Sequence, residues 1–131
     1  MYYMFLANGM EEAEALTPLD LLRRAGVEVT TVGVGGEEIT GSHGITVKAD
    51  MPDTLFRDGT PEGIILPGGM PGTKNLDACP VVDAALKAAA RHGALLAAIC
   101  AAPSVLGKRG LLRGYRATCY PGFEGALEGA D

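Results

Sequence analysis

The sequence predicts an α/β fold built on a doubly wound, mostly parallel sheet. Two observations carry this. Short apolar, β-prone runs alternate with segments whose apolar residues return at helical spacing, and the run Ala94 to Ile99 is apolar throughout, as expected of a central strand buried on both faces. Each step between parallel strands then takes a right-handed crossover.

Tyr2 to Leu6 reads as the first strand and Ala7-Asn8-Gly9 as its turn, while Leu16, Leu19, Leu22 and Ala25 mark the inward stripe of a helix. That helix starts near Glu11 and Glu12, whose charges suit the positive end of the helix dipole, and closes on Arg23, Arg24 and Gly26. Pro18 predicts a kink or a restart inside it, because proline has no N–H and its ring crowds the preceding turn. Val27 to Val34 alternates apolar and polar residues, which predicts a second strand parallel to the first. Glu37 to Pro61 is irregular, with Ile45 to Ala49 as one strand of a β excursion. Gly63 to Leu66 is a third core strand ending in Pro67-Gly68-Gly69, and Val81 to His92 is a helix that Gly93 stops. The central strand runs into Cys100-Ala101-Ala102-Pro103, Ser104 to Lys108 starts another helix, and Arg116 to Cys119 forms one more short strand. No repeat, low-complexity tract or linker divides the chain, so residues 1–131 read as a single domain with a real core.

Charge narrows the partners. A net charge of -5 and a pI near 5.0 argue against sequence-independent nucleic-acid binding, which needs a basic face to displace counterions, and the scattered Lys and Arg residues form no polybasic lipid-binding patch. Small molecules and protein surfaces remain. Cys79, Cys100 and Cys119 form neither a CxxC pair nor an even disulfide framework, and no histidine stands at zinc-ligand spacing from them, so no metal is expected. A reducing compartment fits. Met1 to Ala7 has neither the basic start of a signal peptide nor the length of a membrane span, and the chain reads as cytoplasmic.

In open parallel sheets, ligands sit beyond the carboxyl ends of the strands, where the acidic turn after the first strand, Pro67-Gly68-Gly69 and Cys100 all fall. A thiol between a strand and a helix start feels the dipole and nearby N–H groups, which favour thiolate and predict a lowered pKa. The competing reading makes Cys100 a small buried core residue, the usual place of a free cysteine. Gly68 and Gly69 admit backbone amides close to a reacting oxygen and, with the Ala101 amide, form an oxyanion hole; as bare punctuation they form only a tight turn. Glu11, Glu12 and Glu14 read either as a solvated helix start or, for Glu14, as a carboxylate aimed at Cys100. A carboxylate repels a thiolate, so Glu14 assists only when it is protonated and donates a hydrogen bond to sulfur. Glu11 and Tyr120 complete the candidate pocket lining.

Taken in order, these residues resemble the DJ-1/PfpI superfamily, and the start resembles its DJ-1/YajL (ThiJ-like) branch. The motifs are Gly9-Met10-Glu11-Glu12-Ala13-Glu14, Pro18-Leu19-Asp20-Leu21-Leu22-Arg23-Arg24-Ala25-Gly26, Leu66-Pro67-Gly68-Gly69, Asn75-Leu76 and Ala98-Ile99-Cys100-Ala101-Ala102-Pro103, spread over essentially the whole chain. The resemblance implies a flavodoxin-like fold and a cofactor-free homodimer. It implies that Cys100 is the easily oxidised cysteine, Glu14 its protonated hydrogen-bond partner, and Gly69 and Ala101 the residues whose amides line an anion pocket. The implied activities are glyoxalase action on methylglyoxal without glutathione, deglycation of proteins or nucleotides, redox-regulated chaperone action and protection from oxidative stress. Two readings follow: an enzyme of hydro-lyase or hydrolase type acting on reactive dicarbonyls or their adducts, or a redox sensor and chaperone whose Cys100 is oxidised to sulfenic or sulfinic acid without turnover.

The sequence departs from the family pattern at two points. Tyr120, in Thr118-Cys119-Tyr120-Pro121, stands where many members place a histidine, and the segments of His43 and His92 give no reason to substitute for it. Peptidase chemistry, which uses a histidine directly after the cysteine, is disfavoured by Ala101. Relatives also continue past the equivalent of Asp131 through further strands and a closing helix. The expectation is therefore an N-terminal fragment lacking the C-terminal part of the usual fold, with the remainder on a separate chain, removed by cleavage or missing from a partial gene.

Overall fold

The computed structural model describes residues 1–57 and 59–131, and Asp58, inside the irregular segment, lies outside the described residues. Strands β1 (Tyr2–Leu6), β2 (Val29–Gly33), β5 (Met51–Pro52), β6 (Gly63–Leu66) and β7 (Leu95–Ala98) form one sheet in the order β5-β2-β1-β6-β7, every neighbouring pair parallel. The chain builds outward from β1 to β2 and β5, then restarts on the other side with β6 and β7. Strand order therefore reverses between β1 and β6, the point at which such sheets open a crevice for ligands. A separate antiparallel hairpin, β3 (Glu38–Thr40) with β4 (Thr46–Lys48), forms the β excursion.

Alternation along β1 divides the core. Met4 and Leu6 pack with Met10, Ala15 and Val29 beneath helix α1 (Glu12–Arg24), while Phe5 joins Ile64, Leu66 and Leu76 on the opposite face. Helices α2 (Gly72–Asp77), α3 (Pro80–Arg91) and α4 (Pro103–Gly107) cover that second face. Pro80 suits the first position of α3, where no intrahelical N–H is required, and Val82, Ala85, Leu86 and Ala89 follow one inward stripe. Burying Leu86 alone contributes about 1.5–3 kcal/mol.

Several expectations change. Helix α1 runs through Pro18 without restarting. The proline instead leaves the Glu14 carbonyl without an intrahelical N–H partner. Strand β5 and helix α2 emerge from segments with no clear periodicity. Arg116 to Cys119 is not a strand; the segment is irregular, and Ala117 N–H donates to the Asp131 carbonyl at 3.2 Å.

The run Ala94 to Ile99 departs furthest. Strand β7 lies at the edge of the described sheet, not at its centre, with Leu95 57% and Ile99 52% exposed. Leu96 and Ala98 still pack against the core, and no described strand pairs with the outer edge of β7.

Candidate active site

Cys100 occupies the joint between β7 and α4 at φ 63, the only described non-glycine residue with positive φ. That conformation costs an L-residue roughly 1–2 kcal/mol. Surrounding hydrogen bonds hold it there: Ala102 N–H donates to the Ile99 carbonyl at 3.0 Å, Ser104 Oγ donates to the Ala101 carbonyl at 2.6 Å, and Tyr120 N–H donates to the Cys100 carbonyl at 2.7 Å. A single strained thiol on an otherwise relaxed sheet points to a functional turn.

The first turn of α1 is fastened to the turn after β6. Glu11 N–H donates to the Gly68 carbonyl at 3.0 Å, and Gly68 N–H donates to Glu14 Oε1 at 3.1 Å. A side chain has no room at either glycine of this turn. A Cβ at Gly68 would lie 2.6 Å from Glu14 Oε1 and 2.7 Å from Cys100 Cβ, and one at Gly69, where φ is +89, would lie 2.4 Å from Glu11 N. Both residues are therefore set by close approach as well as by the turn.

Around the sulfur, the Glu14 carboxylate and the backbone N–H groups of Ala101 and Gly69 converge. Burial and then the Glu14 charge and hydrogen bond push the Cys100 thiol up, while the Ala101 and Gly69 amides pull it down without prevailing. The expected fall in pKa is thus reversed. α4 begins only at Pro103 and has a single short turn, so its dipole is weak, and the Glu14 carboxylate faces the sulfur.

The structure brings together Cys100, Glu14, Gly68, Gly69 and Ala101, but in altered roles. Gly68 directs its amide to Glu14 Oε1, while the Gly69 and Ala101 amides face the Cys100 sulfur. Glu14 is half-buried. Tyr120 lines the Cys100 cavity, of about 380 Å³, with Glu14, Ile99, Pro103 and Cys119. Tyr120 is 57% exposed, and its ring stands edge-on to Phe123 with centroids 6.4 Å apart.

Glu11 does not line that cavity. Its carboxylate faces His43 Nδ1 at 3.5 Å. Glu12, buried at 4% exposure, accepts hydrogen bonds from His43 N–H at 2.9 Å, Ile45 N–H at 3.2 Å and the His43 ring at 3.0 Å, clamping the β3–β4 hairpin to α1. Burial pushes the Glu12 carboxyl up, but these donors and its own backbone N–H outweigh it and hold it at about 2. The Glu12 hydrogen bond, with the charges of Glu11 and Glu12, raises the His43 pKa. Glu11, Glu12 and His43 are the one group of metal-capable side chains among the described residues, their ligand atoms within 4.8 Å of one another. In this structure the Glu12 oxygens are engaged by the hairpin.

Sequence reasoning missed two features. The Glu12–His43 clamp joins residues from separate elements with no shared spacing, and Cys119 reaches the Cys100 cavity on an irregular return that periodicity does not register. The Tyr120 to Cys100 hydrogen bond is what brings it there.

Beside the cavity lies an apolar groove of about 490 Å³ lined by Ala13, Thr17, Leu21, Ile65, Ala97 and Ile99. No helix among the described residues is long and apolar enough to cross a membrane.

Comparison with known proteins agrees with this architecture. The chain matches the DJ-1/PfpI family over residues 2–131. It is 35% identical to the zebrafish (Danio rerio) Parkinson disease protein 7 homolog across 98% of this chain and 69% of that protein. It is 36% identical to the Caenorhabditis elegans protein named glutathione-independent glyoxalase DJR-1.2, across 84% of this chain and 58% of that one. Among solved structures, oxidized Toxoplasma gondii DJ-1 superposes with a TM-score of 0.92 at 37% identity, covering 99% of this chain and 74% of that one. The chain spans between 27% and 69% of the length of six curated relatives that it matches. The match over residues 2–131 and the superposition show that the chain belongs to the DJ-1/PfpI family.

Proposed function

We propose that this protein is a cysteine-dependent glyoxalase or deglycase acting on reactive dicarbonyls such as methylglyoxal, or on their adducts, in protection from carbonyl and oxidative stress. The observation that carries this reading is the sulfur of Cys100, held by a strained backbone between the Glu14 carboxylate and the Gly69 and Ala101 amides, at the wall of a small cavity. The glyoxalase name of the worm relative favours the same chemistry.

The Cys100 thiolate attacks the aldehyde carbon, and the resulting oxyanion takes hydrogen bonds from the two amides. Glu14 gives its proton to that oxyanion and, now ionised, takes the proton from the former aldehyde carbon and returns it to the neighbouring carbonyl carbon, while the hydroxyl proton passes to the second oxygen; the hemithioacetal thereby becomes a thioester of the hydroxy acid. Water releases lactate and the thiol. Electrons move only between the two substrate carbons, so the overall change is addition of water. A protonated Glu14 both removes the charge that opposes thiolate formation and supplies a donor to sulfur.

Lactate formation from methylglyoxal is the test, with Cys100→Ser as control. Activity that survives the substitution rejects the enzyme reading. The second reading, a redox sensor and chaperone, is supported by the same amides, which stabilise an oxidised sulfur as well as an oxyanion; it requires oxidation of Cys100 without turnover.

Completion of the domain is part of the proposal. The exposed edge of β7 and the apolar groove beside α1 offer surface for further elements of the family fold, whether carried on the same chain or a separate one, and the relatives' greater lengths supply such elements. Covering the groove also desolvates Glu14, which lines it. A longer form carrying those elements is expected to bind less hydrophobic dye than residues 1–131 and to sediment as a homodimer. Equal dye binding by the two forms rejects the covering.

A further inference from the structure

We propose that Cys119 is the resolving thiol for Cys100, so that oxidation of the site ends in a reversible Cys100–Cys119 disulfide. The proposal rests on the reactive-Cys100 reading above and assigns the fate of that residue after oxidation.

The geometry comes from the return of the chain past the site. Tyr120 N–H donates to the Cys100 carbonyl at 2.7 Å. The Cys119–Tyr120 peptide is trans, since the only cis bond among the described residues is Met70–Pro71. In a trans peptide the preceding Cα lies on the same side as the amide proton, so the hydrogen bond carries Cys119 Cα toward Cys100 and sets the two Cα atoms within roughly 7 Å. Disulfides form across about 4.4–6.8 Å. Both residues line the same cavity, and both are free and half-buried. The remaining cysteine, Cys79, is buried and donates to Asp53 Oδ2 at 3.6 Å, outside that cavity.

The chemistry needs a hydroperoxide as oxidant and a dithiol as reductant. Cys100 thiolate attacks one peroxide oxygen; an S–O bond forms as the O–O bond breaks, and the leaving hydroxide or alkoxide takes a proton. Cys119 thiolate then attacks the sulfenic sulfur; the S–S bond forms, the S–O bond breaks, and hydroxide leaves as water after protonation. The two sulfurs together lose two electrons, which the peroxide has gained. Exchange with a dithiol restores both thiols. Without Cys119, the sulfenic acid persists and a second peroxide carries it to sulfinic acid, which thiols do not reverse.

The experiment treats the full chain with hydrogen peroxide, blocks remaining thiols by alkylation and maps the tryptic peptides by mass spectrometry without reduction. Cleavage after Arg91, Lys108 and Arg116 places Cys100 in residues 92–108 and Cys119 in residues 117–131, with Cys79 on neither. The expected result is a linked 92–108/117–131 pair, lost on adding dithiothreitol, in a chain that stays monomeric on a non-reducing denaturing gel. Cys119→Ser should shift the product to sulfinic acid on Cys100, and Cys79→Ser should leave the linked pair unchanged. Sulfinic acid on Cys100 of the parent with Cys119 still alkylated, or a disulfide joining two chains, overturns the proposal while leaving Cys100 reactive. A Cys100 that stays unoxidised throughout rejects the reactive-thiol reading itself, and with it this inference.

Discussion

Gly68 donates its amide hydrogen to Glu14 Oε1 at 3.1 Å, and the same residue leaves no space for a Cβ between that oxygen and Cys100. One glycine thereby fixes where the acid points and how near the thiol it stands. Gly68→Ala is expected to lower stability by about 1–3 kcal/mol, as overpacking does, and to lower lactate formation far more than the lost stability explains. Thermal unfolding and turnover on the same sample separate the two effects.

The strain at Cys100 predicts an unusual pairing of outcomes. Cys100→Gly relieves roughly 1 kcal/mol of backbone strain and forfeits a small side chain, so its melting temperature should stay near the parent's while activity vanishes. Cys100→Val, β-branched at φ 63, should be less stable than Cys100→Gly by about 2 kcal/mol or more. If Cys100→Val melts with the parent, the backbone is not strained there.

Glu14 should control the ionisation of the thiol. With burial and the Glu14 charge both holding the Cys100 pKa above that of an ordinary thiol, the rate of iodoacetamide alkylation should climb only at alkaline pH in this chain. Glu14→Gln removes the charge and keeps a donor, so its alkylation profile should move to lower pH. Glu14→Asp draws the carboxylate back from sulfur; it should move the profile less and impair turnover.

The clamp between Glu12 and His43 predicts a pH window. Glu12, held at about 2 in the fold, contributes stability above the unfolded carboxyl value of 4.5 and loses it as the pH falls toward 2. His43, raised in the fold, contributes below its unfolded value of 6.5 and loses that as the pH climbs through the folded value. Both contributions are complete only between these limits. His43→Ala should remove the alkaline loss and leave the acid loss from Glu12 in place, measured by urea unfolding from pH 3 to pH 9. An unchanged alkaline limb would show that the His43 charge does not hold the hairpin.

Arg109, just past α4 and with a side chain only 12% exposed, joins that helix, through the Val105 carbonyl at 2.9 Å, to α2 and α3. It donates to Asp77 Oδ1 at 2.6 Å, to Asp83 Oδ1 at 2.7 Å and to the Asp77 carbonyl at 2.9 Å. The aspartates are about a third exposed, so solvent screens part of the attraction. Arg109→Leu should cost roughly 1–3 kcal/mol, and Arg109→Lys should recover little because an ammonium cannot reach both carboxylates in a fork. Full recovery by lysine would show that charge alone matters here.

The sequence by itself determined the parallel sheet, because alternating and continuous apolar runs report which faces a strand must bury. Tyr2–Leu6 and Gly63–Leu66 are strands with the bounds their patterns indicate, and α1 ends where Arg23 and Arg24 approach Gly26. It also determined that Cys100, Glu14, Gly69 and Ala101 meet, since β1, β6 and β7 end on one side of a parallel sheet and their following turns have nowhere else to go. Tertiary structure decided the rest. Whether Gly68 offers its amide to a substrate or to Glu14 depends on a contact between residues 54 positions apart, and the direction of the Cys100 pKa depends on burial and a facing carboxylate, not on a helix start alone. The place of β7 at the sheet edge and the approach of Cys119 were equally invisible, because apolar periodicity records which surfaces avoid water but not which neighbour covers them.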